Sequence, residues 1–418
     1  MASTAAVARK LSFEDARARV MGAAPALAAR LGVERVLLAD AVGRVLAEPL
    51  VAHQALPLFD NSAVDGYAVR AADVAAASEA NPVRLAVLER VAAGAVPKQS
   101  VGAGQAILVM TGAPLPAGAD AVLMRERTDE GDTEVRALAA ARAGENVRPS
   151  GEDARQGETV VALGTEIGPG EIAALAALGH GVAAVVTRPR VAVLSTGDEL
   201  VDPGETIGPG EIYDSNSHAM RAAIAASGAE PGEVWRVRDD PKVVAGALLS
   251  LLEAHDVVLS LGGVSMGDFD PVKLALAEIP SVEWWRVGMR PGGPQAFGAL
   301  AEGRVFYGLP GNPVSSSVVF DRLARPLLRS AMGIASPDRP MVRATLTEEV
   351  RSALGRRDFV RVRLSGAPGA WRAALTGSQS SGAVTSLARA DGLGIVPESA
   401  DTVAAGSEID VILWRMPT

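Results

Sequence analysis

The chain has no cysteine. That excludes disulfides, thiolate metal sites and cysteine nucleophiles together, and it fits a reducing, cytoplasmic setting. Histidine is scarce as well. His53, His180, His218 and His255 are scattered, with no pair at i, i+4 spacing, which argues against a histidine-held zinc. Positive charge is in deficit: Lys plus Arg number 40 against 49 Asp plus Glu, for a formal charge of −9. A protein whose main partner is nucleic acid is usually basic, so none is expected here. No uninterrupted apolar run reaches the roughly 18 residues of a membrane helix. The opening MASTAAVARKLSFEDARARV lacks the apolar core of a secretory leader, so no membrane partner is expected either.

What is present is a long chain able to bury sizeable cores. Its 418 residues are 48% hydrophobic, which excludes disorder as the main state. A length of this order implies about two to four domains. Ser12 followed by Asp15 reads as a capping box opening an Ala- and Arg-rich helix over 12–31. From about 53 to 140, short runs such as VRLAVLERV, QAILVM and DAVLMRER are broken by Gly-Pro clusters, the pattern of a β-rich insert. EIAALAALG at 171–179 is a short helix ended by glycine. From 188 onward strands and helices alternate, which predicts a parallel sheet covered on both faces. After 340, MVRATL, FVRVRL, GLGIVP and IDVILW predict a small all-β domain.

In open α/β sheets, ligands bind beyond the carboxyl ends of the strands. Five segments come directly after strands in this region: Thr196-Gly197-Asp198-Glu199; Asp239-Asp240; Gly262-Gly263 with Ser265, Asp268 and Asp270; Arg290-Pro291-Gly292-Gly293-Pro294; and Pro310-Gly311-Asn312-Pro313 with Ser315. On a parallel sheet all five lie on one rim. Glycines and helix N-termini there offer backbone N–H groups to a phosphate, while the acids would repel it. Mg²⁺ bridging one or two carboxylates and a phosphate oxygen resolves that conflict. Asp198, Asp240 and Asp268 are equally readable as helix caps. Outside this region, PLFDNSAVDGYAVRAAD at 57–73 gathers Asp60, Asn61, Ser62 and Asp65, either an Asx-turn network or a functional loop.

Eight stretches then occur in a telling order: FDNSAVDGYAVR, MTGAPLPAGADAV, NVRPSGED, LSTGDEL, GEIYDSN, RDDP, GGVSMGDFD and GLPGNPVS. From about residue 12 to the C-terminus the chain resembles the MoeA family, the molybdopterin molybdenumtransferases, whose relatives include the C-terminal domain of gephyrin. The resemblance implies an α/β multidomain protein with a MogA-like doubly wound domain over 181–335. It adds a β-rich insert over 53–140, a helical or linker domain made of 1–52 and 141–180, and a small all-β domain over 336–418. The implied activity inserts molybdenum from molybdate into adenylyl-molybdopterin, releasing AMP. Molybdopterin adenylylation and a non-catalytic scaffold of the same fold are the alternatives.

Further implications are a homodimer with its cleft between one subunit's α/β domain and the partner's insert, Mg²⁺, and a MogA-type adenylyltransferase and molybdoenzyme acceptors as partners. By motif, the resemblance makes Asp65, Asp153, Glu199, Asp239 and Asp270 the functional acids, with Asp239 and Asp270 on the metal. Thr111, Gly262, Gly263, Ser265, Arg290, Pro310, Gly311, Asn312, Pro313 and Ser315 would meet substrate. The family's KPGKP-like stretch is here RPGGP: Arg290 keeps the first positive charge and Gly293 removes the second. Arg356, Ser378 and Ser381 are the compensating donors expected from the C-terminal domain.

Overall fold

The computed structural model describes residues 8–263, 271–276 and 281–416. Its centre is a seven-stranded sheet in the order Arg9–Leu11, Val282–Val287, Pro294–Ala299, Val305–Leu309, Val257–Leu261, Arg190–Thr196, Glu230–Val237. The two-residue period of a strand sends alternate side chains to opposite faces, and both faces are covered. Val191, Val193, Val257, Leu259, Leu261, Tyr307 and Leu309 enter one core with Phe13, Val20, Met220, Ile224 and Leu323. Ala192, Leu194, Val258 and Phe306 enter the other, with Val244, Leu248 and Leu251 of helix Pro241–Ala254. This is the doubly wound domain expected.

The sheet is not wholly parallel. Pro294–Ala299 runs antiparallel to both neighbours. Only a short turn separates it from Val282–Val287, and a short turn returns a strand antiparallel, whereas a parallel return needs a long crossover. The strand Val282–Val287 keeps the direction of the parallel set, so the RPGGP turn stays at the carboxyl rim.

The N-terminal segment docks on this body. Ser12 caps helix Phe13–Met21 by accepting from the Asp15 amide at 3.0 Å, and a second helix, Ala24–Ala28, comes next. Arg9–Leu11 pairs parallel with Trp285–Val287. The insert forms a five-stranded sheet over its own core of Tyr67, Val69, Leu85, Leu108, Leu123 and Val135. Residues either side of the insert are joined by three antiparallel ribbons: Val33–Leu37 with Val182–Val186, Leu50–Val51 with Thr159–Val161, and Asn61–Ser62 with Val147–Arg148. The C-terminal strands Arg357–Ser365, Trp371–Leu375, Met341–Leu346, Glu408–Leu413 and Gly392–Val396 close into a small barrel, because the first also pairs with the last. The short strand Met289–Arg290 of the α/β body adds to that barrel beside Arg357–Asp358. Phe13 packs on Phe359 with ring centroids 5.2 Å apart, a second tie between the two bodies.

Candidate active site

Two cavities open where these elements converge. The first, about 520 Å³, lies at the carboxyl rim of the sheet. Thr196, Gly197 and Glu199 line it from the end of Arg190–Thr196, Asp239 from the next strand, Gly262 and Gly263 from Val257–Leu261, and Gly311, Asn312 and Pro313 from Val305–Leu309. Gly262 and Gly263 have φ of 85° and 72°, the left-handed region that favours glycine. A Cβ on Gly311 would sit 3.4 Å from the Gly262 Cα, so the two loops meet backbone to backbone. Gly197, at φ 150°, faces Glu199; a Cβ there would come within 2.8 Å of the carboxylate. The Asn216 amide donates to the Gly311 carbonyl at 2.5 Å, locking helix Ser215–Ala226 to the PGNP turn. Asp214 caps that helix through the Ser217 amide and hydroxyl.

Asp239 is the perturbed acid of this cavity. Burial raises its pKa, and the charges of Asp198 and Glu199 raise it further, against hydrogen bonds from the Asp198 amide and the Thr196 hydroxyl. Asp240, by contrast, is a helix cap, accepting from the Lys242 and Val243 amides. Among the described residues no Lys, Arg or His lines the cavity.

The second cavity, about 140 Å³, lies between the RPGGP turn and the C-terminal barrel. Arg290, Arg351, Asp358, Arg361 and Gln379 line it. Arg356 forks onto Asp358, Nε to Oδ1 at 2.8 Å and Nη2 to Oδ2 at 3.2 Å. Arg290 Nη1 stands 3.7 Å from the same carboxylate. Arg361 donates from Nε to the Ser386 hydroxyl and from Nη2 to the carbonyls of Ser378 and Ser380, each at 3.1 Å. Burial, and then the charge of Arg290, pull its pKa down to about 10. The cavities are neighbours, for the Val314 amide of the PGNP helix donates to the Ser381 carbonyl at 3.1 Å.

The remaining expected residues lie apart. Asp65 and Thr111 pair in the insert: Asp65 Oδ1 accepts from the Thr111 amide at 2.7 Å and its hydroxyl at 2.8 Å, which lowers the Asp65 pKa. Asp153 lines a separate, largely apolar cavity with Leu56, Val160 and Leu178. Pro310 and Ser315 are buried and do not line the first cavity. Ser378 and Ser381 serve through their carbonyls rather than as hydroxyl donors. Ser265, Asp268 and Asp270 fall outside the described residues. Sequence reasoning missed Asp358 and Arg361, which lie in or beside a strand with no spacing that marks a site.

Three family models match in order along the chain. Residues 11–179 match the MoeA N-terminal region (domain I and II), residues 192–330 a probable molybdopterin binding domain, and residues 343–414 the MoeA C-terminal region (domain IV). A Mycobacterium tuberculosis protein named molybdopterin molybdenumtransferase 2 is 40% identical over 382 residues, 90% of this chain and 94% of that protein. The chain belongs to the MoeA family. A Bacillus subtilis molybdopterin molybdenumtransferase is 34% identical over 91% of this chain and 90% of its own length. Two solved MoeA structures from Pyrococcus horikoshii superpose with TM-scores of 0.82 and 0.81, at 34% and 30% identity, covering 98% and 94% of this chain and 100% and 99% of those. Within this MoeA frame, every residue lining the first cavity falls inside the stretch matched to the molybdopterin binding domain. The second cavity joins that stretch to domain IV.

Proposed function

We propose that the chain is a molybdopterin molybdenumtransferase, which takes molybdenum from molybdate into adenylyl-molybdopterin and releases AMP. The observation that carries this reading is the pairing of the two cavities. One offers glycine backbone and carboxylates, the other arginines, and a single helix start joins them. A phosphate-bearing pterin nucleotide fits the first, and a dianionic oxyanion fits the second. Gly262, Gly263 and Gly311 admit the nucleotide to the backbone, with Asn312 and Pro313 at the helix entry. Arg290 and Arg356 hold the oxyanion, and Arg361 fixes the Ser378–Ser380 turn beside it.

Mg²⁺ belongs to this proposal. Among the described residues no group of three His, Cys, Asp or Glu is placed to hold a metal alone. Glu199 and Asp239 do converge on one cavity, and Mg²⁺ is usually bound through one or two carboxylates plus substrate phosphates. The donor set therefore fits a metal that arrives on the nucleotide; Asp270, assigned to it by motif, lies outside the described residues. Mg²⁺ would neutralise phosphate charge there. The residues' own part is to hold the nucleotide, with Asp239 oriented by Thr196 and the Asp198 amide. The decisive experiment incubates pure protein with adenylyl-molybdopterin, Mg²⁺ and molybdate and monitors AMP and active cofactor. AMP formation without cofactor, or neither product, would overturn the reading.

The working form is proposed to be a homodimer in which the partner's Asp65, Thr111 and Asp153 approach the first cavity. In one chain Asp65 and Asp153 do not line it, which motivates a second copy. A two-stranded ribbon also presents an exposed apolar face. Val33 and Leu37 are 60% and 61% exposed, and Leu37 is paired with the exposed Val182. A second chain would cover it. Analytical ultracentrifugation should show a dimer at micromolar concentration; monomer alone would remove this cleft. A cytoplasmic setting is proposed with it, as no helix among the described residues is long and apolar enough to cross a membrane. A MogA-type adenylyltransferase as supplier and molybdoenzymes as acceptors complete the proposed partners.

A further inference from the structure

The arginine-lined cavity already contains an anion, and the protein supplies it. The side chain of Asp358 is only 4% exposed. Its two oxygens take the fork of Arg356, and Arg290 faces it because the two residues are register partners across the joint between α/β body and barrel. Arg290 is 51% exposed at its side chain and Arg356 33%, so both cations stay reachable from solvent while their counter-ion does not. Two guanidiniums thus face one deeply placed carboxylate, and a third, that of the buried Arg361, lines the same cavity while bonded to the Ser378 and Ser380 carbonyls. The cavity of about 140 Å³ has room for roughly five waters at ~30 Å³ each, enough for a four-oxygen anion.

We propose that Asp358 is the resident counter-anion of the oxyanion site: an arriving oxyanion takes Arg356 and Arg290 over from it, so that Asp358 sets the concentration at which the site fills. This rests on reading the cavity as an oxyanion site. Two effects act in the same direction. The carboxylate competes for the same donors, and its charge repels the incoming ion in proportion to that ion's charge. Asp358 is thus a positioning residue that holds the empty site ready at the cost of affinity. It also penalises a dianion more than a monoanion of equal shape. A purely structural Asp358, needed only to aim the arginines, predicts the opposite result on its removal.

The test is calorimetric titration of the full-length protein with molybdate and with perrhenate, a tetrahedral monoanion. Asp358→Asn keeps the shape and an acceptor oxygen but removes the charge. The expected result is tightening of molybdate binding by about tenfold or more, with a smaller gain for perrhenate, since removing one unit charge at a few Å is worth more to the doubly charged ion. Unchanged or weaker molybdate binding by a folded Asp358→Asn protein overturns the proposal. Arg290→Ala and Arg356→Ala separate the levels. If neither alters molybdate binding by the otherwise native chain, the oxyanion reading of the cavity fails rather than the role of Asp358. Should Asp358→Asn not fold, wild-type crystals soaked in molybdate decide: an oxyanion on Arg356 with its fork to Asp358 opened supports the proposal, and bound oxyanion with the fork intact overturns it.

Discussion

The two cavities sit side by side and are built from opposite charge. The rim cavity is lined by Glu199, Asp214 and Asp239 with no basic side chain among the described residues. The joint cavity is lined by Arg290, Arg351 and Arg361, with Glu349 and Asp358 as its acids. Both form just beyond the end of a strand of the central sheet, so the contrast lies in what each strand end meets. Among the described residues, the ends of Arg190–Thr196 and Val257–Leu261 meet neighbouring loops of the same sheet, which bring glycine backbone and no basic side chain to the cavity. The end of Val282–Val287 meets another domain, and the barrel contributes arginines. On the proposed reading, a negatively charged ligand enters the first cavity with a cation of its own, whereas the second takes an oxyanion directly. That division predicts distinct failures.

The largest expected effect is in the rim cavity. Asp239→Asn removes a charge from the pair proposed to meet Mg²⁺, and AMP release at limiting Mg²⁺ should fall by about a hundredfold, recovering in part as Mg²⁺ rises. Stability should move the other way. The Asp239 pKa is raised in the folded protein by burial and by Asp198 and Glu199. A raised acid contributes stability in full below its ordinary value of 3.8, and that contribution is lost as pH rises through the raised folded value. At neutral pH the wild type carries a carboxylate its surroundings oppose, and the variant does not. Asp239→Asn should therefore melt at or above the wild-type temperature at pH 7, with this advantage fading in acid. A variant that loses both activity and stability would make Asp239 structural and dissolve the contrast.

The joint cavity should fail by affinity. Arg290→Ala should raise the molybdate concentration needed for half-maximal cofactor formation by about tenfold, because a hydrogen bond to a charged group is worth roughly 1.5–3 kcal/mol and half of Arg290 is solvated. Gly293→Lys should lower it by a comparable or smaller factor. A Cβ on Gly293 meets the Val287 carbonyl at 3.3 Å, so the turn must give by a few tenths of an ångström. Neither change should alter the Mg²⁺ dependence. If Gly293→Lys leaves the molybdate dependence untouched, Arg356 and Arg361 already supply the charge.

These two cavities were unequally legible. Glu199 and the glycines at 262–263 announce themselves because each follows a mainly apolar run of strand length, VAVLS and VVLSL, whereas Asp239 follows VWRVR, which is read as a strand from its place in the strand–helix alternation. The rim was then a matter of strand direction. The joint cavity needs pairings between residues far apart in the chain. Arg290 meets Asp358 only because Met289–Arg290 crosses into the barrel sheet, and the GRRDF stretch carries no period that marks its acid as buried. Likewise, the cap at Ser12 is local and readable, but that the two helices after it pack under the α/β sheet is fixed by Phe13, Val20 and Leu27 finding partners more than a hundred residues away. Strand Pro294–Ala299, interrupted by Gly298, is short and mixed in pattern, and only its partners make it a strand.

The smallest expected effect concerns the pair that lines neither cavity. Asp65 keeps its charge through two donors from one residue, the amide and the hydroxyl of Thr111, with Arg125 assisting. Thr111→Val removes the hydroxyl and leaves the amide in place. The Asp65 pKa should then rise part of the way back toward 3.8, its ordinary value, and a carboxyl-resolved NMR titration would read that shift. Because the folded pKa is depressed, the pair contributes stability above the unfolded value, and that contribution is lost as pH falls through the folded one. The difference between Thr111→Val and wild type should thus be constant near neutral pH and vanish in strong acid. Asp65 is exposed in a single chain, so the change in melting temperature should be slight. Activity is the sharper gauge. If the partner's Asp65 approaches the rim cavity, Thr111→Val should lower AMP release several-fold with the molybdate dependence unchanged, the signature of the first cavity. A shift in molybdate dependence instead would place the insert over the arginines, and no change in either would leave the pair outside the site.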